Sequence, residues 1–152
     1  MISQTAEYAL RAMIVLLARA EGPLCSAHDV AARAQVPVDY MAKILNALVK
    51  SGLVTAQRGR NGGCKASRTA AEIRVLDIVQ AVDPIRRIHT CPVGIAAHGT
   101  RLCPLHRKLD EAAQCVEEAF ASTTMADLLN EDNPSIPLCT SSGNHHVQRL
   151  IH

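Results

Sequence analysis

Aromatic side chains are nearly missing from this chain: its 152 residues include one Phe, two Tyr and no Trp. Hydrophobic residues still make up 48%. Alanine, leucine and valine must therefore fill the core, which favours packed helices. Long apolar runs are missing too. The longest early one, Ala12 to Ala18, falls far short of the roughly 20 residues that cross a bilayer, and no secretory leader is visible. The expectation is a cytoplasmic chain, off the membrane, whose thiols stay reduced. Its six cysteines then read as ligands, sensors or small core residues rather than as disulfides. Signatures of catalysis are missing as well. There is no phosphate loop, no nucleophile elbow and no defensible carboxylate pair, so the sequence argues against an enzyme. Net charge is only +2, but it is unevenly spread: residues 1–83 carry ten Lys/Arg against seven Asp/Glu, and residues 84–152 six against seven.

What is present is organised around Cys91 to His106, CPVGIAAHGTRLCPLH. Cys91, His98, Cys103 and His106 fall within it, and Gly94 and Gly99 break regular structure between the cysteines. A loop studded with soft ligands suits a metal or iron–sulfur site. The bland alternative is a surface loop with two idle thiols. Pro104 fits a first helical position, which places Cys103 near an N-cap where the helix dipole favours a thiolate.

Upstream, Ser3 can cap a helix running to about Ala20, with Glu7 in its first turn. Ala9, Leu10, Met13, Leu16, Leu17 and Ala20 form its apolar stripe, and Gly22-Pro23 stops it. Ser26 with Asp29 resembles a capping box for a short helix through Val30, Ala31 and Ala34. Beyond Gln35-Val36-Pro37, a third helix repeats Met41, Ile44, Leu45, Leu48 and Val49, and Gly52 ends it. Such a pair is a helix-turn-helix, whose second helix presents its exposed N-terminal residues to the DNA major groove. Those are Val38, Asp39, Tyr40 and Lys43, with Ser26 at the start of the helix before them.

Leu53 to Gln57 and Cys64 to Ser67 predict a hairpin across a turn over Arg58 to Gly63, with Asn61-Gly62 as its turn signal. From Lys50 up to Glu72 there are five basic residues and no acid. Arg58, Arg60, Asn61 and Gly62 lie at the tip, placed to meet phosphates or enter the minor groove. Leu76, Val79 and Val82 predict a short helix closing this head near Asp83. A long helix from Pro104 to about Ser122 carries Leu105, Leu109, Ala112, Val116 and Phe120 along one side. That stripe needs a partner, most simply a second copy, and two heads on a twofold axis would read a roughly palindromic duplex. Met125 to Leu129 adds a turn. Cys25, Cys64 and Cys115 read as small packed residues rather than ligands.

The expected fold is mainly α: a winged helix-turn-helix with a two-stranded wing and a long C-terminal dimerisation helix. The expected divisions are a DNA-binding domain over 1–83, a connector and ligand loop over 84–103, a dimerisation region over 104–130, and a disordered tail over 131–152.

The order AEYALRAMIVLLA, VPVDYMAKILNALVKSGLV, RGRNGG and VLDIVQAVD, then a cysteine loop before a long helix, resembles a known family over about residues 1–130. It is similar to the bacterial winged-helix iron–sulfur repressors that include IscR and NsrR. The resemblance implies a DNA-binding regulator controlled by an iron–sulfur cluster that senses redox state, nitric oxide or iron supply. In cluster-bearing members three loop cysteines hold the iron. The first and last match Cys91 and Cys103, whereas the middle position is Ala97. His106 matches a histidine that follows the last cysteine in IscR-like members. Glu7 falls where some members use an acidic ligand from the other subunit. Two thiolates completed by Glu7 of the partner chain and by His98 or His106 favour 2Fe–2S over 4Fe–4S, histidine ligation having precedent in Rieske centres. The rivals are a cluster-free regulator acting through thiols or a partner protein, and a structural zinc held by the same cysteines.

Overall fold

The computed structural model describes residues 2–95, 101–132, 135, 137 and 138. His98, Ala97 and most of the tail from 131 lie outside the described residues.

Helix α1, Gln4–Leu17, starts where Ser3 Oγ accepts the Ala6 amide at 3.2 Å. It packs against α2 (Ala27–Ala34), α3 (Val38–Lys50) and α4 (Val75–Val82). Ala6, Ala9 and Ala12 are all buried, and side chains this small let neighbouring backbones approach closely. Its regular helix stops before the expected Ala20. Arg19 and Ala20 bond back three residues instead of four, a tightened last turn that leaves Ala20 exposed.

Helix α2 begins at Ser26, whose Oγ accepts the Asp29 amide and donates to Asp29 Oδ2 at 2.7 Å. It ends at Gln35, left-handed at φ 55°. Pro37 then caps α3. Met41, Ile44, Leu45 and Leu48 are buried as the spacing predicts, but Val49 points outward. Gly52, at φ 74°, turns the chain into the wing.

Strands β1 (Val54–Gln57) and β2 (Gly63–Ala66) pair antiparallel from Val54↔Ala66 to Gln57↔Gly63. The segment before α2 joins them through a single bridge: Cys25 N–H donates to Cys64 O at 3.0 Å and Cys64 N–H to Cys25 O at 2.8 Å. Cys25 and Cys64 are both buried, as expected of small packed thiols.

Helix α5, Pro104–Ser122, has no residue buried within the chain. Its apolar stripe leaves the head gradually. Phe120 packs against the core and Val116 is half-buried, while Leu109 and Leu105 are 51% and 64% exposed. Cys115 is exposed on α5 rather than packed, because it lies off that stripe. After α5 the chain returns to the head. Met125 opens α6 (Met125–Asn130), is fully buried, and donates its amide to Ile73 O at 2.8 Å. Thus α5 is tied back twice: its C-terminal end to the core, and its middle, as shown below, to the connector.

Candidate functional site

Two surfaces carry the sequence-predicted residues. The first is the reader helix and wing. Val38, Asp39, Tyr40 and Lys43 lie in the first turns of α3 and are exposed. Tyr40 also leans on α1: its hydroxyl is 2.6 Å from Thr5 Oγ1, and its ring meets Tyr8 edge-on at 5.7 Å. That contact fixes the start of α3 against α1. Ser26 is half-buried and committed to capping α2.

The wing tip carries Arg58, Arg60 and Asn61, all exposed. The turn lies within the Arg58 to Gly63 stretch expected from the sequence. It spans Gly59 to Gly62, closed by Gly62 N–H to Gly59 O at 2.9 Å, with Gly59 at φ 112°. Asn61-Gly62 forms its second half. A Cβ on Gly62 would collide with backbone atoms of Gln57, Arg58 and Gly59, none of which can swing away as a side chain would. Gly62→Ala is therefore expected to displace the tip. DNA affinity should fall by about tenfold or more while far-UV circular dichroism stays helical, since a forced overpacking costs about 1–3 kcal/mol. Fluorescence anisotropy with operator DNA checks it.

The second surface surrounds the cysteine loop. Cys91 and Cys103 are both half-buried. Cys103 is the N-cap of α5, followed by Pro104 at N1, and its Sγ lies 3.3 Å from His106 Nδ1. Cysteine and histidine three residues apart face one side of a first helical turn. Glu7, on α1, is 54% exposed and pairs with Arg11 at 2.5 Å. Among the described residues no three His, Cys, Asp or Glu side chains of one chain gather closely enough to hold a metal ion. Cys103 and His106 are neighbouring donors among the described residues. His98 is outside the described residues.

Sequence reading missed what holds this loop's first limb. Arg87 forks onto Asp110, with Nε to Oδ1 at 2.8 Å and Nη2 to Oδ2 at 2.7 Å. Nη2 also reaches Gln114 Oε1 at 3.0 Å, and Nη1 reaches Glu117 Oε2 at 3.4 Å. The Ile88 amide donates to Asp110 Oδ1 at 2.7 Å. These hydrogen bonds, Arg87's foremost, hold the Asp110 carboxyl down to a pKa of about 2, so it stays ionised at any physiological pH. The one signal in the sequence was a polar ladder at i, i+4 and i+7, Asp110, Gln114 and Glu117, on a single face of α5.

Residues 2–131 match the Rrf2 family, described as an iron-dependent transcriptional regulator. The chain belongs to the Rrf2 family. Rrf2 proteins are DNA-binding transcriptional regulators that act as dimers, not enzymes, and they include iron–sulfur regulators such as IscR. Solved structures repeat the fold. T. potens IscR is 25% identical at a TM-score of 0.69, over 88% of each chain. CymR, the global cysteine regulator of B. subtilis, is 24% identical at 0.66, over 84% of this chain and 95% of that one. CymR of Staphylococcus aureus in its oxidized form is 22% identical at 0.67, over 88% and 98%. The winged-helix reading of the sequence therefore stands. Among the described residues no helix of this Rrf2 protein is long and apolar enough to cross a membrane.

Proposed function

We propose that this Rrf2 protein is a homodimeric repressor that grips a roughly palindromic operator through α3 and the wing, and that the Cys91–Cys103 loop sets how firmly. Val38, Asp39 and Lys43 would face the major groove. Arg58, Arg60, Asn61 and Gly62 would meet the backbone or minor groove, with Ser26 and Tyr40 steadying the helices behind them. The observation that carries the switch is the place of Cys103: a cysteine at the N-cap position of the very helix whose exposed leucines suit a second copy. A change at that thiol acts on the start of the helix joining the two heads, and so on half-site spacing.

The donors fit a labile iron–sulfur group better than a closed structural site. Cys91 and Cys103 would supply thiolates, His106 or His98 an imidazole, and Glu7 of the partner subunit a carboxylate. A 2Fe–2S group bound there would supply one-electron redox chemistry and reactivity toward nitric oxide. The exposure of Glu7 leaves it available to a neighbouring chain, although Arg11 must first release it. Alanine at position 97, where cluster-bearing relatives place a third cysteine, favours a second reading in which Cys91 and Cys103 act as thiols without a metal. The likeness to CymR supports that reading.

Anaerobic purification and reconstitution separate the two. The cluster reading expects about two irons and two sulfides per chain, lost in Cys91→Ala and in Cys103→Ala. Zinc alone would point to a structural site. A metal-free protein whose DNA affinity follows thiol oxidation would replace the cluster reading with the second.

A further inference from the structure

The connector after α4 and helix α5 run side by side in opposite directions. Pro84, Ile85 and Arg86 face Ala112, Ala113 and Val116 across a groove of about 410 Å³, and the Ile88 amide has already advanced to Asp110. The chain therefore climbs α5 towards its N-terminus, where Cys103 sits. We propose that Arg87 and Asp110 are positioning residues that strap this limb to α5 and so deliver Cys91 to the level of Cys103 and His106.

The distances agree. Cys91 lies three residues past Ile88, a reach of at most about 10 Å of extended chain. From Asp110 back to Cys103 is seven helical residues, also about 10 Å at ~1.5 Å each. Asp110 accepts three hydrogen bonds, two from the Arg87 fork and one from the Ile88 backbone, so a single carboxylate fixes both side chain and main chain. Charge-assisted forks of this kind are the strong ones. The side chains of Arg87 and Asp110 are only 24% and 16% exposed, which limits screening by salt. Without the strap Cys91 would explore a wider volume around the loop, and its effective concentration at Cys103 would fall.

The inference rests on the loop being the switch, and the test separates the two. The full-length, metal-free chain carries Cys115→Ala and Cys139→Ala, so that no cysteine after Cys103 competes. It is oxidised with diamide well below its unfolding temperature. Each Cys91–Cys103 bridge formed gives two electrons and two protons to diamide, which becomes the hydrazine. Peptide mapping follows the bridge, and hydrogen exchange follows the Ile88 amide. Asp110→Asn and Arg87→Lys should each slow the bridge, the former on the order of tenfold, and deprotect Ile88. Lysine keeps the charge but cannot fork, so it reports on the geometry even where the asparagine variant is too unstable to use. Glu117→Gln, which removes only the longest arm, should leave both readouts nearly unchanged. Parent-like bridge rates in Asp110→Asn and Arg87→Lys would overturn the strap and leave the switch intact. A parent that neither bridges nor takes up iron on reconstitution would overturn the switch, and the strap's role with it.

Discussion

Replacing Arg58 and Arg60 together by alanine should weaken operator binding on the order of a thousandfold at physiological salt. A dimer presents four such arginines. At about 1 kcal/mol each the loss is about 4 kcal/mol, or three decades. Neutralising four backbone contacts should also flatten the dependence of log affinity on log salt by about 3.6. Both side chains are exposed and away from the core, so thermal stability should move by no more than about 0.5 kcal/mol. Anisotropy titrations across a salt series read both quantities. Unchanged affinity with an unchanged slope would mean that the wing does not hold DNA.

The double substitution Leu105→Asp and Leu109→Asp should convert the proposed dimer to a monomer at micromolar concentration. These leucines are 64% and 51% exposed in one chain, and neither belongs to the head's core. If a second α5 covers the part of each that is still exposed, four leucines per dimer, at about 1.5–3 kcal/mol for a full burial, contribute roughly 3–7 kcal/mol. Losing that shifts the dissociation constant by about two decades or more, before the cost of burying carboxylates. Sedimentation velocity decides it: a parent-like dimer in the variant would show that subunits meet elsewhere. The head should remain folded, because Met13, Ile44 and Ile78 pack without either leucine.

Features governed by residues a few positions apart were legible in the sequence. Ser3 and Ser26 bond amides three residues on, and Cys103-Pro104 marks a helix start by the chemistry of two neighbours, so the beginnings of α1, α2 and α5 could be read directly. The helix pair and the basic hairpin followed from spacing alone. Features made across long separations could not be read. The Cys25–Cys64 bridge joins residues 39 apart, and Arg87 meets Asp110 across 23; no periodicity encodes either. Spacing also gives the face of a helix without saying what covers it. Val49 and Leu109 both fit their stripes, yet both are exposed. For the loop, residue type narrows the chemistry to soft ligands and stops there, since the donors proposed to complete the set are Glu7 of the partner subunit and either His106 or His98.

Cys64 belongs to wing strand β2, with its Sγ 3.2 Å from Cys25 O, and burial, aided by the neighbouring Cys25, pushes its thiol up to about 11. At neutral pH only about one such thiol in ten thousand is a thiolate. It is therefore a tamper seal: alkylating reagents should mark the exposed Cys115 promptly and reach Cys64 only when the hairpin lifts away from the segment before α2. The lag between those two labels is a stopwatch for wing opening, and bound DNA, by pinning the hairpin down, should lengthen it.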